Sequence, residues 1–145
     1  MKILIFGLPG SGKSTLAEPF AELINGVWIN ADKIRQRYDD WDFTPAGRIR
    51  QALRMKYLSD GVVLAGKTAI ADFVCPTDEA RTEFNADYTV WMDTIAAGRF
   101  EDTNKMFQDP ASVDYHINKW FQDTPIQLME VIQNYMVKNK ANYRR

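Results

Sequence analysis

The sequence predicts an α/β fold in which a five-stranded parallel sheet lies between two layers of helices. Short apolar runs alternate with stretches whose apolar residues recur every three to four positions, the pattern of strands followed by amphipathic helices. A glycine-rich segment, residues 7–12, joins the first apolar run to the first helical stretch. No internal repeat, low-complexity tract or linker interrupts the 145 residues, so we expect a single domain over residues 1–145.

The predicted strands are short runs rich in β-branched and aromatic residues. Residues 3–6 of the first run are all apolar, which is typical of a strand buried on both faces of a parallel sheet. The five runs are residues 2–6, 27–30, 68–73, 88–92 and 115–117. In such a sheet, ligands bind beyond the carboxyl ends of the strands.

Helix boundaries are indicated by capping residues. Thr44 and Thr77 are suitable N-caps, Pro45 suits a first helical position, and Gly26 and Gly66 follow helix ends. The predicted helices are residues 13–23, 31–38 and 45–64, one that begins after Thr77, and one opened by Asp123-Thr124-Pro125.

Composition excludes several classes of protein. The net charge of −1 produces no overall field that would draw the chain to nucleic acid or to an anionic membrane. A single cysteine, Cys75, excludes an intrachain disulfide and fits a reducing compartment. No stretch approaches the roughly 20 apolar residues of a membrane span. We therefore expect a cytoplasmic protein without a membrane partner.

The glycine-rich segment fits the phosphate-binding loop (P-loop) pattern of Gly, four residues, then Gly-Lys-Ser/Thr. Its glycines let successive backbone N–H groups point at an anion, and the following helix adds the positive end of its dipole. Lys13 is expected to reach the β- and γ-phosphates of ATP, and the Ser14 hydroxyl to ligate Mg²⁺. The nucleotide-binding residues are Gly7, Leu8, Pro9, Gly10, Ser11, Gly12, Lys13, Ser14 and Thr15.

A small kinase is the remaining class of nucleotide-binding protein. The guanine-reading motif Asn-Lys-x-Asp is absent, since Asn104-Lys105 is followed by Met106-Phe107. Motor-type and AAA-type ATPases usually need a longer chain and paired acids at the end of a hydrophobic strand. A kinase needs a carboxylate near the acceptor hydroxyl, cations around the transferred group and an acceptor pocket.

Asp32 and Arg35 are the candidates for catalysis. Asp32 follows the second strand, where it can face the phosphates as general base, and Arg35 lies one helical turn further on. We interpret Arg35 as a clamp on the acceptor or its phosphate. The alternative is an ion pair between these two residues on the surface of the helix.

Three further residues are assigned to metal and acceptor binding. Asp72 ends the third strand near Ser14, where it can hold the water shell of Mg²⁺. The alternative for Asp72 is a structural role, which requires a cation or hydrogen-bond donors beside the buried carboxylate. Phe43 and Phe73 flank the expected acceptor cleft and are suited to sandwich an aromatic base. A core position is the alternative for Phe73.

Cations from two segments complete the predicted site. Arg48 is expected to grip an acceptor phosphate, since a guanidinium matches that group, although a solvated helix face is the default alternative. Arg99 and Lys105 belong to a polar segment, about residues 99–112, that we interpret as a short lid over the phosphates.

These residues resemble the adenylylsulfate kinase family over nearly the whole chain. That family has Gly-Leu-x-Gly-Ser-Gly-Lys-Ser-Thr, Asp-Gly-Asp-x-x-Arg, Gly-Phe-Ser…Asp-Arg, Phe-Ile-Ser-Pro with a helical Arg, Val-Asp-Thr, and Asp-Pro-Lys-Gly-Leu-Tyr. The corresponding segments here are residues 7–15, 30–35, 42–48, 73–76 with Arg81, 92–94, and 102–107.

The resemblance implies a three-layer P-loop kinase fold and transfer of the ATP γ-phosphate to the 3′-hydroxyl of adenosine 5′-phosphosulfate. It implies that Asp32 is the base, that Arg35 and Arg48 clamp the substrate, and that Phe43 and Phe73 stack on its adenine. The chain departs from the family at several positions. Asn30 replaces the first Asp of Asp-Gly-Asp, Cys75 replaces a Ser, Gln51 and Leu53 stand where the family has Asn and Arg, and the lid is shorter.

A second family fits nearly as well. Phage-type polynucleotide 5′-kinases carry Asn-x-Asp-x-x-Arg-Gln, which is similar to residues 30–36, and end the third strand with an Asp, as at Asp72. That resemblance implies an acceptor hydroxyl on a polynucleotide or a modified nucleoside. A third interpretation is an ATP-binding regulatory protein that has lost catalysis through its shortened lid.

Overall fold

The computed structural model describes residues 1–96 and 105–143, with only the backbone described at 140–143. The strands are β1 (Lys2–Gly7), β2 (Val27–Asn30), β3 (Ala69–Asp72), β4 (Tyr88–Met92) and β5 (Tyr115–Ile117). The helices in the described residues are α1 (Lys13–Ile24), α2 (Ala31–Tyr38), α3 (Pro45–Leu64), α4 (Asp78–Phe84) and α5 (Thr124–Tyr143).

All five strands are parallel and lie in the order β2-β3-β1-β4-β5. The α/β class and the five-stranded parallel sheet predicted from the sequence are therefore confirmed. β1 occupies the centre and is buried along its whole length, which explains why its sequence shows no alternation of polar and apolar residues. The register pairs Asn30 with Asp72 and Gly7 with Met92 at the carboxyl edge of the sheet.

The sheet separates two hydrophobic cores. One core packs α1 and α5 against one face through Leu16, Phe20, Leu128 and Ile132. The other packs α3 and α4 against the opposite face, with Met55 and Phe84 among its buried members. Alternate residues of β1 enter the two cores, as the twofold periodicity of a strand requires.

Side-chain caps start three of the helices. The hydroxyl of Thr44 accepts from the N–H of Gly47, and the hydroxyl of Thr77 accepts from Ala80, as the sequence predicts. Asn30 caps α2 in the same way. Within the part of the chain that the structure describes, no helix is long and apolar enough to cross a membrane.

Candidate active site

The loop between β1 and α1 requires glycine at two positions for different reasons. A Cβ at Gly7 would collide with the backbone carbonyl oxygen of Met92 on the neighbouring strand. Gly12 caps α1 with φ of 92°, a left-handed conformation that favours glycine. These two positions allow the loop to curl tightly between strand and helix, as the P-loop pattern predicts.

Contacts inside the loop shape it around the N-terminus of α1. Lys13 Nζ donates to the carbonyl oxygen of Leu8 at 3.0 Å, so the lysine lies back across the loop. Thr94 Oγ1 donates to the carbonyl oxygen of Ser11 at 2.8 Å and joins the end of β4 to the loop. The hydroxyl of Ser11 is buried and has no hydrogen-bond partner among the described residues.

Asp72 lies at the carboxyl edge of β3 and is 3% exposed. Its carboxylate accepts from Trp28 Nε1 at 2.5 Å and from Asn30 Nδ2 at 3.1 and 3.2 Å. Burial raises the pKa of Asp72, while these two donors and the charge of Lys13 oppose that rise and the charge of Asp32 adds to it. The charges of Lys13 and Asp32 therefore both act on the Asp72 carboxylate, in opposite directions.

Asp32 lies in the first turn of α2 and is exposed to solvent. Its position follows from the cap of α2, because Asn30 Oδ1 accepts from the N–H of Lys33 at 3.0 Å and so begins the helix directly after β2. A carboxylate in a first helical turn is favoured by the helix dipole. The carboxylate of Asp32 is therefore exposed to solvent at the carboxyl edge of the sheet, where the sequence predicts it.

Arg35 is 5% exposed, and its guanidinium contacts the loop that follows α2. One of its terminal nitrogens donates to the backbone carbonyl oxygens of Asp40 at 2.9 Å and Asp42 at 3.2 Å. Its guanidinium carbon lies 4.2 Å from the centroid of the Phe43 ring. In this structure Arg35 therefore binds and stabilises the loop at residues 39–43. The sequence predicted only a clamp on the acceptor and not this structural contact.

Acid–base pairs hold the same loop in place from α3. Arg50 and Arg54 both donate to the carboxylate of Asp40, and Arg50 also donates to Asp42. Those hydrogen bonds hold the pKa of Asp40 well below its usual range. Arg48 instead donates its Nε to the carbonyl oxygen of Phe43 at 2.8 Å. Of the three arginines near the start of α3, Arg48 is the one that does not pair with the loop carboxylates.

The two phenylalanines predicted to sandwich a base lie in different environments. Phe43 is 54% exposed at the loop tip, beside Trp41 at 51%. Phe73 is 8% exposed and packs edge-to-face on Phe84, with ring centroids 5.4 Å apart. The stacking role predicted for Phe73 disagrees with this geometry, because its ring fills the core between β3 and α4.

Arg81 is a buried residue that the sequence analysis left without a role. Its guanidinium lies between two aromatic rings, 4.4 Å from the centroid of Phe6 and 5.1 Å from that of Phe107. It donates to the carbonyl oxygens of Cys75 and Gln108 and to the Asp78 carboxylate. These contacts attach the segment at residues 107–108 to the start of α4. The resemblance to a family arginine was the one signal for Arg81.

The predicted lid is described only in part. Arg99 and the start of the segment at 99–112 lie outside the described residues, whereas Lys105 and the residues that follow it are described. A cavity of about 240 Å³ opens on the β4 side of the loop. The residues lining it include Leu8, Trp91, Asp93, Phe107 and Asp109. The cavity lies at the end of β4, whereas Asp32 follows β2. Two strands, β3 and β1, separate β2 from β4 in the sheet.

The fold and the P-loop define the class of protein: a P-loop kinase. The family model described as adenylylsulphate kinase matches residues 1–96, which include the loop, Asp32 and Asp72. The chain therefore belongs to the adenylylsulphate kinase family, whose members transfer a phosphoryl group from a bound nucleotide. No curated protein matches the sequence.

Solved structures of several kinases share the fold. The APS kinase CysC of Mycobacterium tuberculosis, in complex with AMPPNP and APS, has a TM-score of 0.67 at 17% identity, covering 91% of this chain and 96% of that one. A sugar kinase from Janibacter sp. HTCC2649 has a TM-score of 0.68 at 16% identity, covering 93% of each chain. Shikimate kinase from Acinetobacter baumannii, in complex with shikimate, has a TM-score of 0.61 at 18% identity, covering 96% of this chain and 94% of that one.

Proposed function

We propose that the protein transfers the γ-phosphoryl group of ATP to the 3′-hydroxyl of adenosine 5′-phosphosulfate, with Asp32 as general base. The observation that supports this most strongly is the hydrogen bond from Asn30 to Asp72, which joins the turn that carries Asp32 to the edge of β3, the strand next to β1 and its P-loop. A cation for the phosphates and a solvent-open carboxylate for the acceptor are the two groups that such a transfer needs. The family match over residues 1–96 supports the choice of acceptor.

The nucleotide is proposed to bind through the loop at residues 7–15. The buried Ser11 hydroxyl lacks a partner among the described residues, and buried polar groups are normally paired, which favours a ligand at the loop. Ser14 is proposed to ligate Mg²⁺ directly and Asp72 through water, a donor set that fits an oxygen-preferring ion that keeps several waters. When bound, Mg²⁺ would neutralise charge that develops on the phosphates.

The acceptor is proposed to bind over the loop at residues 39–43. The half-exposed ring of Phe43 offers a flat surface to a base, and the neighbouring Arg48 offers N–H donors to an anionic group. Arg35 holds that ring from the protein side by stacking and by its two hydrogen bonds to the loop. An aromatic anion, such as a nucleotide, matches both features.

The chemical step follows from these positions. The acceptor oxygen forms a bond to the γ-phosphorus while the bond to the bridging oxygen of ADP breaks. The proton of the hydroxyl passes to the Asp32 carboxylate, and Lys13 stabilises the charge that moves onto the phosphate oxygens. Arg99 and Lys105 are proposed to add cations to the phosphates from the lid.

A polynucleotide or modified nucleoside is the second candidate acceptor. Trp41 lies two residues from Phe43 and is equally exposed, so the loop presents two aromatic rings rather than one. Residues 31–54 carry six basic and four acidic side chains, a local net charge of +2 in a chain of net charge −1. Stacking surfaces with nearby cations are typical of proteins that bind single strands.

The test is an acceptor panel with ATP and Mg²⁺, with Lys13→Ala as the inactive control. ADP release that depends on adenosine 5′-phosphosulfate supports the first proposal. Transfer of label from ATP to an oligonucleotide, with a steep loss as salt rises, supports the second. ATP binding without transfer to any acceptor would show instead a nucleotide-binding regulatory protein.

A further inference from the structure

The side chain of Asn30 contacts two elements at the carboxyl edge of the sheet. Its Oδ1 accepts from the N–H of Lys33 and caps α2, while its Nδ2 donates to Asp72 on β3. We propose that Asn30 is a positioning residue. Its amide fixes the position of the start of α2, and therefore of Asp32, relative to the buried carboxylate of Asp72.

The geometry of β2 supports this pairing. Trp28 and Asn30 lie two residues apart on the strand, so their side chains share one face, and both donate to Asp72. The sheet register places Asn30 opposite Asp72. A buried carboxylate is costly without donors, and these two supply the direct hydrogen bonds it accepts from side chains in the described structure.

An amide is the side chain that can make both contacts. Asparagine carries an acceptor for the helix cap and a donor for the carboxylate, whereas aspartate at neutral pH only accepts. Aspartate at position 30 would therefore keep the cap but bring two carboxylates to about 3 Å, where like charges repel. The hydrogen bond to Asp72 thus explains why residue 30 is Asn rather than the first Asp of the Asp-Gly-Asp pattern.

The consequence for the site passes through α2. Asp32 is two residues beyond Asn30, in the turn that the cap begins, and its charge acts on Asp72. Loss of the Asn30–Asp72 contact would let the start of α2 move relative to β3. This consequence rests on the proposed function, because it takes Asp32 as the base.

The contact itself is tested by urea unfolding of the wild type, Asn30→Asp, Asp72→Asn and the double variant Asn30→Asp/Asp72→Asn. We expect Asn30→Asp to lower the urea midpoint, and the double variant, which exchanges amide and carboxylate, to recover at least about half of that loss. Equal midpoints for Asn30→Asp and the double variant would overturn the contact. No acceptor is involved, so this result stands whether or not phosphoryl transfer is found.

The positioning role is tested with Asn30→Ser, since serine is a good N-cap but its short hydroxyl does not replace the amide donor. We expect kcat to fall about tenfold while the KM for ATP changes less than about twofold and helix content by circular dichroism stays unchanged. Asn85→Ser, at the exposed C-cap of α4, is the matched control and should change neither constant. A wild-type kcat in Asn30→Ser, or a kcat loss accompanied by loss of helix content, would overturn the positioning role.

Discussion

The guanidinium of Arg35 on α2 lies 4.2 Å from the ring of Phe43, and the same guanidinium donates to the backbone on both sides of Trp41. A buried cation thus supports a loop whose aromatic tips remain in solvent. Without such support, half-exposed rings would tend to collapse onto the apolar surface nearby. The arrangement links a residue of α2, the helix that carries the proposed base Asp32, to the surface on which we propose that the acceptor binds.

Arg35→Lys should therefore impair acceptor binding more than nucleotide binding. Lysine carries a point charge and lacks the planar fork that stacks on Phe43 and spans two carbonyl groups. We expect the KM for the acceptor to rise about tenfold with little change in ATP affinity. Steady-state kinetics with each substrate varied in turn measures the two effects. Arg37→Lys, an exposed position on the same helix, is the control. An unchanged acceptor KM in Arg35→Lys would show that the loop does not bind the acceptor.

Asp32→Asn should separate binding from chemistry. The amide keeps the size of the side chain but does not accept a proton, so turnover should fall about 100-fold or more. ATP affinity should remain nearly unchanged, because the loop at residues 7–15 is intact. Equilibrium binding of ATP and single-turnover transfer are the measurements. Persistent turnover in this variant would show that Asp32 is not the base.

Lys13→Ala should weaken both ATP binding and turnover. Lys13 Nζ reaches back to the carbonyl oxygen of Leu8, so the loop positions the ammonium group before the nucleotide arrives. Removal of the charge takes away a phosphate partner in the ground state and in the transition state. Calorimetric titration with a nonhydrolysable ATP analogue measures the loss. If the analogue bound with unchanged affinity, the loop assignment would be wrong.

Arg81→Met should lower stability. The substitution keeps an apolar stem between Phe6 and Phe107 but leaves the carbonyl oxygens of Cys75 and Gln108 without their donor. We expect the free energy of unfolding to fall by about 2–3 kcal/mol. Urea denaturation followed by fluorescence measures the change.

The control for Arg81 is Lys56→Gln, which breaks a more exposed ion pair with Glu83. We expect that change to stay within about 0.5 kcal/mol, because exposed pairs contribute little. If the free energy of unfolding fell by similar amounts in the two variants, the buried contacts of Arg81 would contribute no more to stability than an exposed ion pair.

Local sequence patterns were sufficient for the elements and the P-loop. Residues 3–6 lie in β1 because a continuous apolar run suits the buried interior of a parallel sheet. Residues 88–92, rich in aromatic and β-branched side chains, form β4. Thr44 and Thr77 became caps because their hydroxyls satisfy N–H groups within the same turn. Gly12 acts through its own backbone angle. In each case the deciding atoms lie within a few residues of one another.

Contacts between distant segments were decided only by the tertiary structure. Asn30 meets Asp72 across 42 positions, and Arg81 meets Gln108 across 27. The side chain of Phe73 packs in the core, and that of Arg35 binds the backbone of the loop at residues 39–43. Both residues belong to motifs from which a role in substrate binding was predicted. Residue type and spacing indicate which groups are present at the edge of the sheet. The register of β2 on β3 and the packing of α3 and α4 determine which of those groups are already bound to one another and which, like Asp32, Phe43 and Arg48, remain accessible to a substrate.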